Sequence, residues 1–120
     1  MTPVPGLSLH VVDVSRGIPA AGMRVEVWRD GPPRARLADG IVGAGGAVDA
    51  PALLAQRLEP GVYEALFHAG AWYRQQGVAL PVPAFLDVVP FRFGIAEPQQ
   101  HYHLPLKLTP WGLSLFRGGA

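Results

Sequence analysis

The sequence contains no cysteine. That excludes disulfide staples, thiolate nucleophiles and cysteine-ligated metal, and it makes the cytoplasm the expected compartment. Long apolar runs are also missing. Although 49% of the residues are hydrophobic, each stretch falls far short of the ~20 residues that cross a bilayer, so no membrane partner is expected. The opening Met1-Thr2-Pro3-Val4-Pro5-Gly6 has neither the basic nor the apolar region of a secretion signal. Nor does one charge dominate: 10 basic residues against 9 acidic ones leave a net charge of +1, with no cluster to attract nucleic acid. At this length the chain, 1–120, is expected to form a single domain with one core.

Turn residues are abundant. Fifteen glycines and 13 prolines would suggest disorder between polar segments, but here they separate stretches rich in Val, Leu and Phe, so they read as the turns of a many-stranded protein. Residues 7–14 alternate, with Leu7, Leu9, Val11 and Asp13 on one face and Ser8, His10, Val12 and Val14 on the other. Residues 15–22 read as a turn, and a second strand follows over 23–28, paired with the first as a hairpin or facing it across a sandwich. A third strand spans 34–42, with Asp39-Gly40 as an interruption or turn. The stretch 47–58 allows a fourth strand, 62–68 another and 85–95 a further one. One helix is expected over 69–77, closed by Gly77. Gly43-Ala44-Gly45-Gly46 is a turn and a poor phosphate loop, because no Lys-Ser/Thr follows it and its flanks are strands.

Chemistry concentrates at the C-terminal end. Over 101–109 the odd positions read His, His, Pro, Lys, Thr and the even ones Tyr, Leu, Leu, Leu, which is a half-buried strand carrying His101, His103 and Lys107 on its polar face. Thr109-Pro110-Trp111-Gly112 turns the chain into a last strand from 113 to about 118. Alternate strand histidines can share a metal ion, but without cysteine, and with His10 as the main distant ligand, no metal is expected.

The segments His101-Tyr102-His103-Leu104-Pro105-Leu106, Thr109-Pro110-Trp111-Gly112 and Phe116-Arg117-Gly118-Gly119 closely resemble the C-terminal signature of 5-hydroxyisourate hydrolases, the transthyretin-like proteins of urate breakdown. Leu7-Ser8-Leu9-His10-Val11-Val12-Asp13 with Arg16-Gly17-Ile18-Pro19-Ala20 is similar to the same family's N-terminal LSTHVLD…GRPA pattern. The resemblance covers nearly the whole chain. It implies an all-β transthyretin-like (prealbumin) β-sandwich of seven or eight strands with one short helix. It also implies a homotetramer, a dimer of dimers, with the site in a channel between dimers.

By the resemblance, His10 and His103 are the catalytic histidines of a cyclic-amide hydrolase that acts on a small heterocyclic substrate without a cofactor. The family arginine falls at Ala47, and the family's terminal Tyr-Arg-Gly-Ser becomes Phe116-Arg117-Gly118-Gly119, followed by Ala120. Lys107 stands where the family usually has leucine, on the strand face of His103, and is the candidate replacement cation. The substrate-binding candidates are His101, Ser114, Phe116, Arg117, Gly118 and Gly119. The substituted positions leave two alternatives beside 5-hydroxyisourate hydrolysis: opening or rearranging a different heterocycle, or a non-catalytic small-ligand-binding role.

Overall fold

Alternation along β1 (Gly6–Asp13) and β8 (His101–Thr109) decides where the core lies. In both strands one set of side chains is buried: Leu7, Leu9, Val11 and Asp13 in the first, and Tyr102, Leu104, Leu106 and Leu108 in the second. Burying each of these leucines contributes about 1.5–3 kcal/mol, so a one-residue slip of either strand would expose its whole apolar row. The computed structural model describes residues 6–49 and 58–118.

β1 and β8 run parallel in one four-stranded sheet of order β2-β1-β8-β9, where β2 is Ile18–Pro19 and β9 is Gly112–Leu115. The other sheet has five antiparallel strands in the order β5-β4-β3-β6-β7. Its members are β3 (Arg24–Arg29), β4 (Ala35–Val42), β5 (Val48–Asp49), β6 (Gly61–His68) and β7 (Val88–Ile95). The inner rows of the two sheets meet in one core that includes Val25, Val27, Tyr63, Phe67, Trp72 and Ile95. This is the expected β-sandwich with one short helix. Nine strands occur among the described residues because two pairings of only two residues, β2 and β5, add to seven longer strands.

Several boundaries shift. The first two long strands do not form a hairpin; they lie in different sheets and face each other across the core. Residues 15–22 are not wholly a turn, since Ile18 and Pro19 pair back onto Asp13 and Val12. Asp39-Gly40 does not interrupt its strand, because Glu26 and Val25 of β3 supply a continuous ladder opposite them. Of the stretch 47–58, Val48 and Asp49 form β5, whereas 50–57 lie outside the described residues. The strand expected from 85 begins at Val88. The helix α1 (Ala69–Gln75) ends as anticipated: Gln76 is its C-cap, and Gly77 takes φ +80°, the left-handed conformation that glycine adopts at low cost.

The end of β1 is pinned by a buried carboxylate. Asp13 accepts hydrogen bonds from the Ser15 backbone N–H at 3.0 Å, from the Ser15 hydroxyl and from Arg16 Nε at 2.7 Å. Burial raises its pKa, and these donors outweigh that effect, leaving the carboxyl below its ordinary value. Arg16 in turn lies 5.3 Å from the Trp72 ring centre, and Trp72 donates its indole N–H to Ala21 O at 2.8 Å. The turn after β1 is thereby fastened to α1.

Candidate active site

The in-register parallel pairing of β1 with β8 sets Ser8 beside His103, His10 beside Pro105 and Val12 beside Lys107. Their side chains point away from the core, because their sequence neighbours on each strand are the buried row. β9 extends the same outer face with Ser114 opposite Lys107. Beyond β9 the chain stays alongside β8, where an isolated bridge joins Gly118 to His103 and Gly118 N–H donates to His103 O at 2.7 Å. A Cβ at Gly118 would stand 3.0 Å from His103 Cδ2, so the bare backbone is what packs against the imidazole edge.

His103 is held from several sides. Its Nδ1 lies 2.7 Å from Ser8 Oγ, and the same oxygen lies 2.7 Å from His101 Nε2. Partial burial pushes its pKa below the usual histidine value, and the charges of His10 and His101 push in the same direction. The ring is therefore neutral near pH 7 and able to take a proton, as a general base must.

His10 is oriented by the loop between β4 and β5. Its Nε2–H donates to Gly45 O at 2.9 Å, which leaves Nδ1 as the basic nitrogen. Gly46 sits at φ +96°, where a Cβ would come within 2.6 Å of His10 Nε2, so only glycine lets this loop close over the ring. Ala47, the position of the arginine implied by the resemblance, is bridged directly to His10. The loop thus brings that position to the histidine, but a methyl group stands where a guanidinium was implied.

His10, His101 and His103 are gathered at one end of the face, with Ala47 and Gly118 beside them. Lys107 shares the face but lies four residues along β8, and its Nζ rests 5.9 Å from the centre of the Phe116 ring. Ser114 is exposed next to it. Arg117 goes elsewhere: its guanidinium stacks 3.8 Å from the Tyr102 ring centre, donates to His101 O and Gln100 Oε1, and lines a cavity of about 230 Å³ with Phe91, Phe93 and Leu104. Tyr102 belongs to the inward row, so this cavity lies on the other side of the sheet from His103. Gly119 lies outside the described residues. Among the described residues, no three His, Asp or Glu side chains are grouped so as to hold a metal ion, and no helix is long and apolar enough to cross a membrane.

Ser8 was missed by sequence reasoning. It was placed only on the same strand face as His10, and the available signal was its position two residues before that histidine.

Comparison with known proteins agrees with the geometry. A "5-hydroxyisourate hydrolase 2" of Rhizobium meliloti is 43% identical over 113 residues, covering 93% of this chain and 94% of that protein. The structure of a Klebsiella pneumoniae 5-hydroxyisourate hydrolase superposes with TM-score 0.81 at 31% identity, covering 96% of this chain and 99% of that one. An (S)-allantoin synthase crystal structure superposes with TM-score 0.86 at 33% identity; the match takes in 98% of this chain but only 45% of the synthase. The profile of the HIUase/Transthyretin family spans residues 7–118, which includes both histidine-bearing strands and the glycine bridged to His103. The chain belongs to the HIUase/Transthyretin family.

Proposed function

We propose that this protein hydrolyses 5-hydroxyisourate to 2-oxo-4-hydroxy-4-carboxy-5-ureidoimidazoline in urate breakdown. The observation that carries the reading is a neutral, hydrogen-bonded His103 on the same face as His10 and His101, in a chain 43% identical to a 5-hydroxyisourate hydrolase. His103 takes the proton of the attacking water. His10, its Nε2–H committed to Gly45 O, offers Nδ1 to the substrate or to the water that bridges to it. Lys107 supplies positive charge from the far end of the face, as a compact point charge without the bidentate reach of arginine. His101 and Gly118 lie beside His103, and Ser114 and Phe116 flank the lysine. The site calls for no cofactor or metal, and a cytoplasmic location is part of the same reading.

A homotetramer built as a dimer of dimers completes the proposal. In one copy the histidine face is open, and Trp111, Leu113 and Phe116 are 59%, 44% and 45% exposed along the final hairpin. Apolar groups at a sheet edge are covered by self-association, and isologous contacts do so in a closed assembly. Light scattering at micromolar concentration should give about four times the 12.8 kDa chain mass; a monomer would sink this part.

The activity test is loss of the absorbance of freshly generated 5-hydroxyisourate against its spontaneous decay. Acceleration by catalytic amounts of protein is expected, and none would overturn the reading. Action on a different heterocycle is the second reading, and the Ala47–His10 bridge is what favours it, since the position brought to the histidine carries no charge.

A further inference from the structure

We infer that Ser8 is a proton relay between His103 and His101, so that the base of the reaction is a three-residue unit and His101 is its far terminus. The inference rests on the hydrolytic reading of this face.

Ser8 Oγ stands 2.7 Å from His103 Nδ1 and 2.7 Å from His101 Nε2. A hydroxyl has one proton to give and lone pairs with which to accept. Between two ring nitrogens it gives to one and receives from the other, so with both rings neutral only two arrangements make both bonds. In the first, His103 Nδ1–H donates to Ser8, Ser8 donates to His101 Nε2, and His103 Nε2 is a bare base. In the second, His101 Nε2–H donates to Ser8, Ser8 donates to His103 Nδ1, and His103 Nε2 carries a proton it can give away.

Opening a cyclic amide needs His103 Nε2 bare at first, as in the first arrangement, and protonated afterwards, as in the second, with the added proton then held as a positive charge on His101. As the water oxygen bonds to the carbonyl carbon, the C=O π pair moves to oxygen and the water proton goes to His103 Nε2. The Nδ1 proton passes to Ser8 Oγ, and the Ser8 proton passes to His101 Nε2. When the intermediate collapses, the oxygen pair re-forms C=O and the C–N bond breaks with its pair staying on nitrogen. His103 Nε2 protonates that nitrogen while the two relay protons return, and the unit is restored with nothing consumed.

The arrangement also solves an electrostatic problem. Protonation of His103 is opposed by burial and by His10 and His101. In the β1–β8 ladder His10 is level with Pro105, Ser8 with His103, and Gly6 with His101. The relay therefore delivers the positive charge to the imidazole two ladder positions further from His10 than His103 is.

Two measurements test the relay. In the first, turnover is followed in mixtures of light and heavy water. The wild type should give a bowed dependence on deuterium fraction, from more than one proton in flight. Ser8→Ala should lower kcat about 10²-fold with KM nearly unchanged and give a straight line, Ser8→Thr should keep most of the turnover, and His101→Phe should give the same straight line. A straight line in the wild type, or Ser8→Ala with wild-type kcat, overturns the relay. In the second, the ring ¹⁵N signals of His101 and His103 are titrated without substrate. Coupled titration in the wild type that Ser8→Ala uncouples supports the relay, and independent titration in the wild type overturns it. Because this second measurement needs no turnover, a protein that fails to hydrolyse 5-hydroxyisourate defeats the proposed function and still leaves the relay decided.

Discussion

The outer faces of the two sheets each carry partly buried histidine, and they treat it in opposite ways. On the five-stranded sheet, His68 Nε2–H donates to Glu26 Oε2 at 2.7 Å. Glu26 also meets Arg36 and Arg24 at 3.3 and 3.6 Å, and Arg24 grips Asp39 with two hydrogen bonds of 2.9 and 3.0 Å. Burial raises the pKa of Glu26, and His68, Arg36 and Arg24 together pull it below the ordinary value. Every charge there has a counter-charge. On the four-stranded sheet, the groups acting on His103 are a hydroxyl and two more imidazoles. Surrounding a histidine with carboxylate and guanidinium groups makes a fixed brace; surrounding it with groups that carry no counter-charge and can pass a proton leaves it neutral and available as a base.

Removing the central group of the charge-poor face should have the largest effect. His103→Ala is expected to lower kcat on 5-hydroxyisourate by ~10²–10⁴ while the melting temperature stays within a few degrees, because the ring is a general base and not part of the core. In the wild type, kcat/KM should fall on the acid side with a midpoint below the usual ~6.5 of histidine, since a lowered pKa keeps His103 neutral to lower pH. A variant with wild-type turnover, or a midpoint above that value, would break the contrast.

Placing a cation directly beside the histidines, as the other face already does, should come next. Ala47 is bridged to His10, and one oxyanion donor is commonly worth ~10²–10³ in rate, so Ala47→Arg should raise turnover of 5-hydroxyisourate by at least about 10-fold. No gain there would favour a different heterocycle as substrate.

The brace should respond in stability and not in rate. Glu26→Gln leaves Arg24, Arg36 and His68 without their shared carboxylate and is expected to cost about 2 kcal/mol by chemical denaturation, with kcat unchanged. The sign with pH follows from the lowered pKa of Glu26. Its stabilisation is complete above the ordinary carboxylate range and is lost as pH falls through that range towards the folded-state value, so the variant should show a flatter acid decline in melting temperature. Smallest of all should be Lys107→Leu, a few-fold loss expressed mainly in KM, because the ammonium sits over Phe116 and not beside His103.

Much of this was legible in the sequence, for reasons that differ from element to element. Alternation in 7–13 and 101–109 announces which residues face inward, since burial selects apolar side chains at every second position. Gly77 marks the end of α1 because few other residues take its backbone conformation at low cost. The neighbours of Asp39-Gly40 could not be read locally: the ladder that keeps β4 extended comes from β3, and dipeptide chemistry carries no information about it. Arg117 was a substrate-binding candidate on family likeness, yet it follows Phe116 by one residue, and period-2 alternation alone places the two on opposite sides. The role of Ser8 depends on a parallel register between strands 95 residues apart, which no short window contains.

That separation also governs when the site can come into being. β3, β4, β6 and β7 can pair as they are made, by antiparallel contacts between strands close in sequence. β1 must wait until almost the whole chain exists before β8 arrives to lie beside it. Closing so long a loop costs entropy that local pairing avoids, and folding slows as contacts become less local. The five-stranded sheet should therefore form first, and the imidazole trio should be among the last features to appear, so recovery of activity after refolding would lag behind recovery of β-structure.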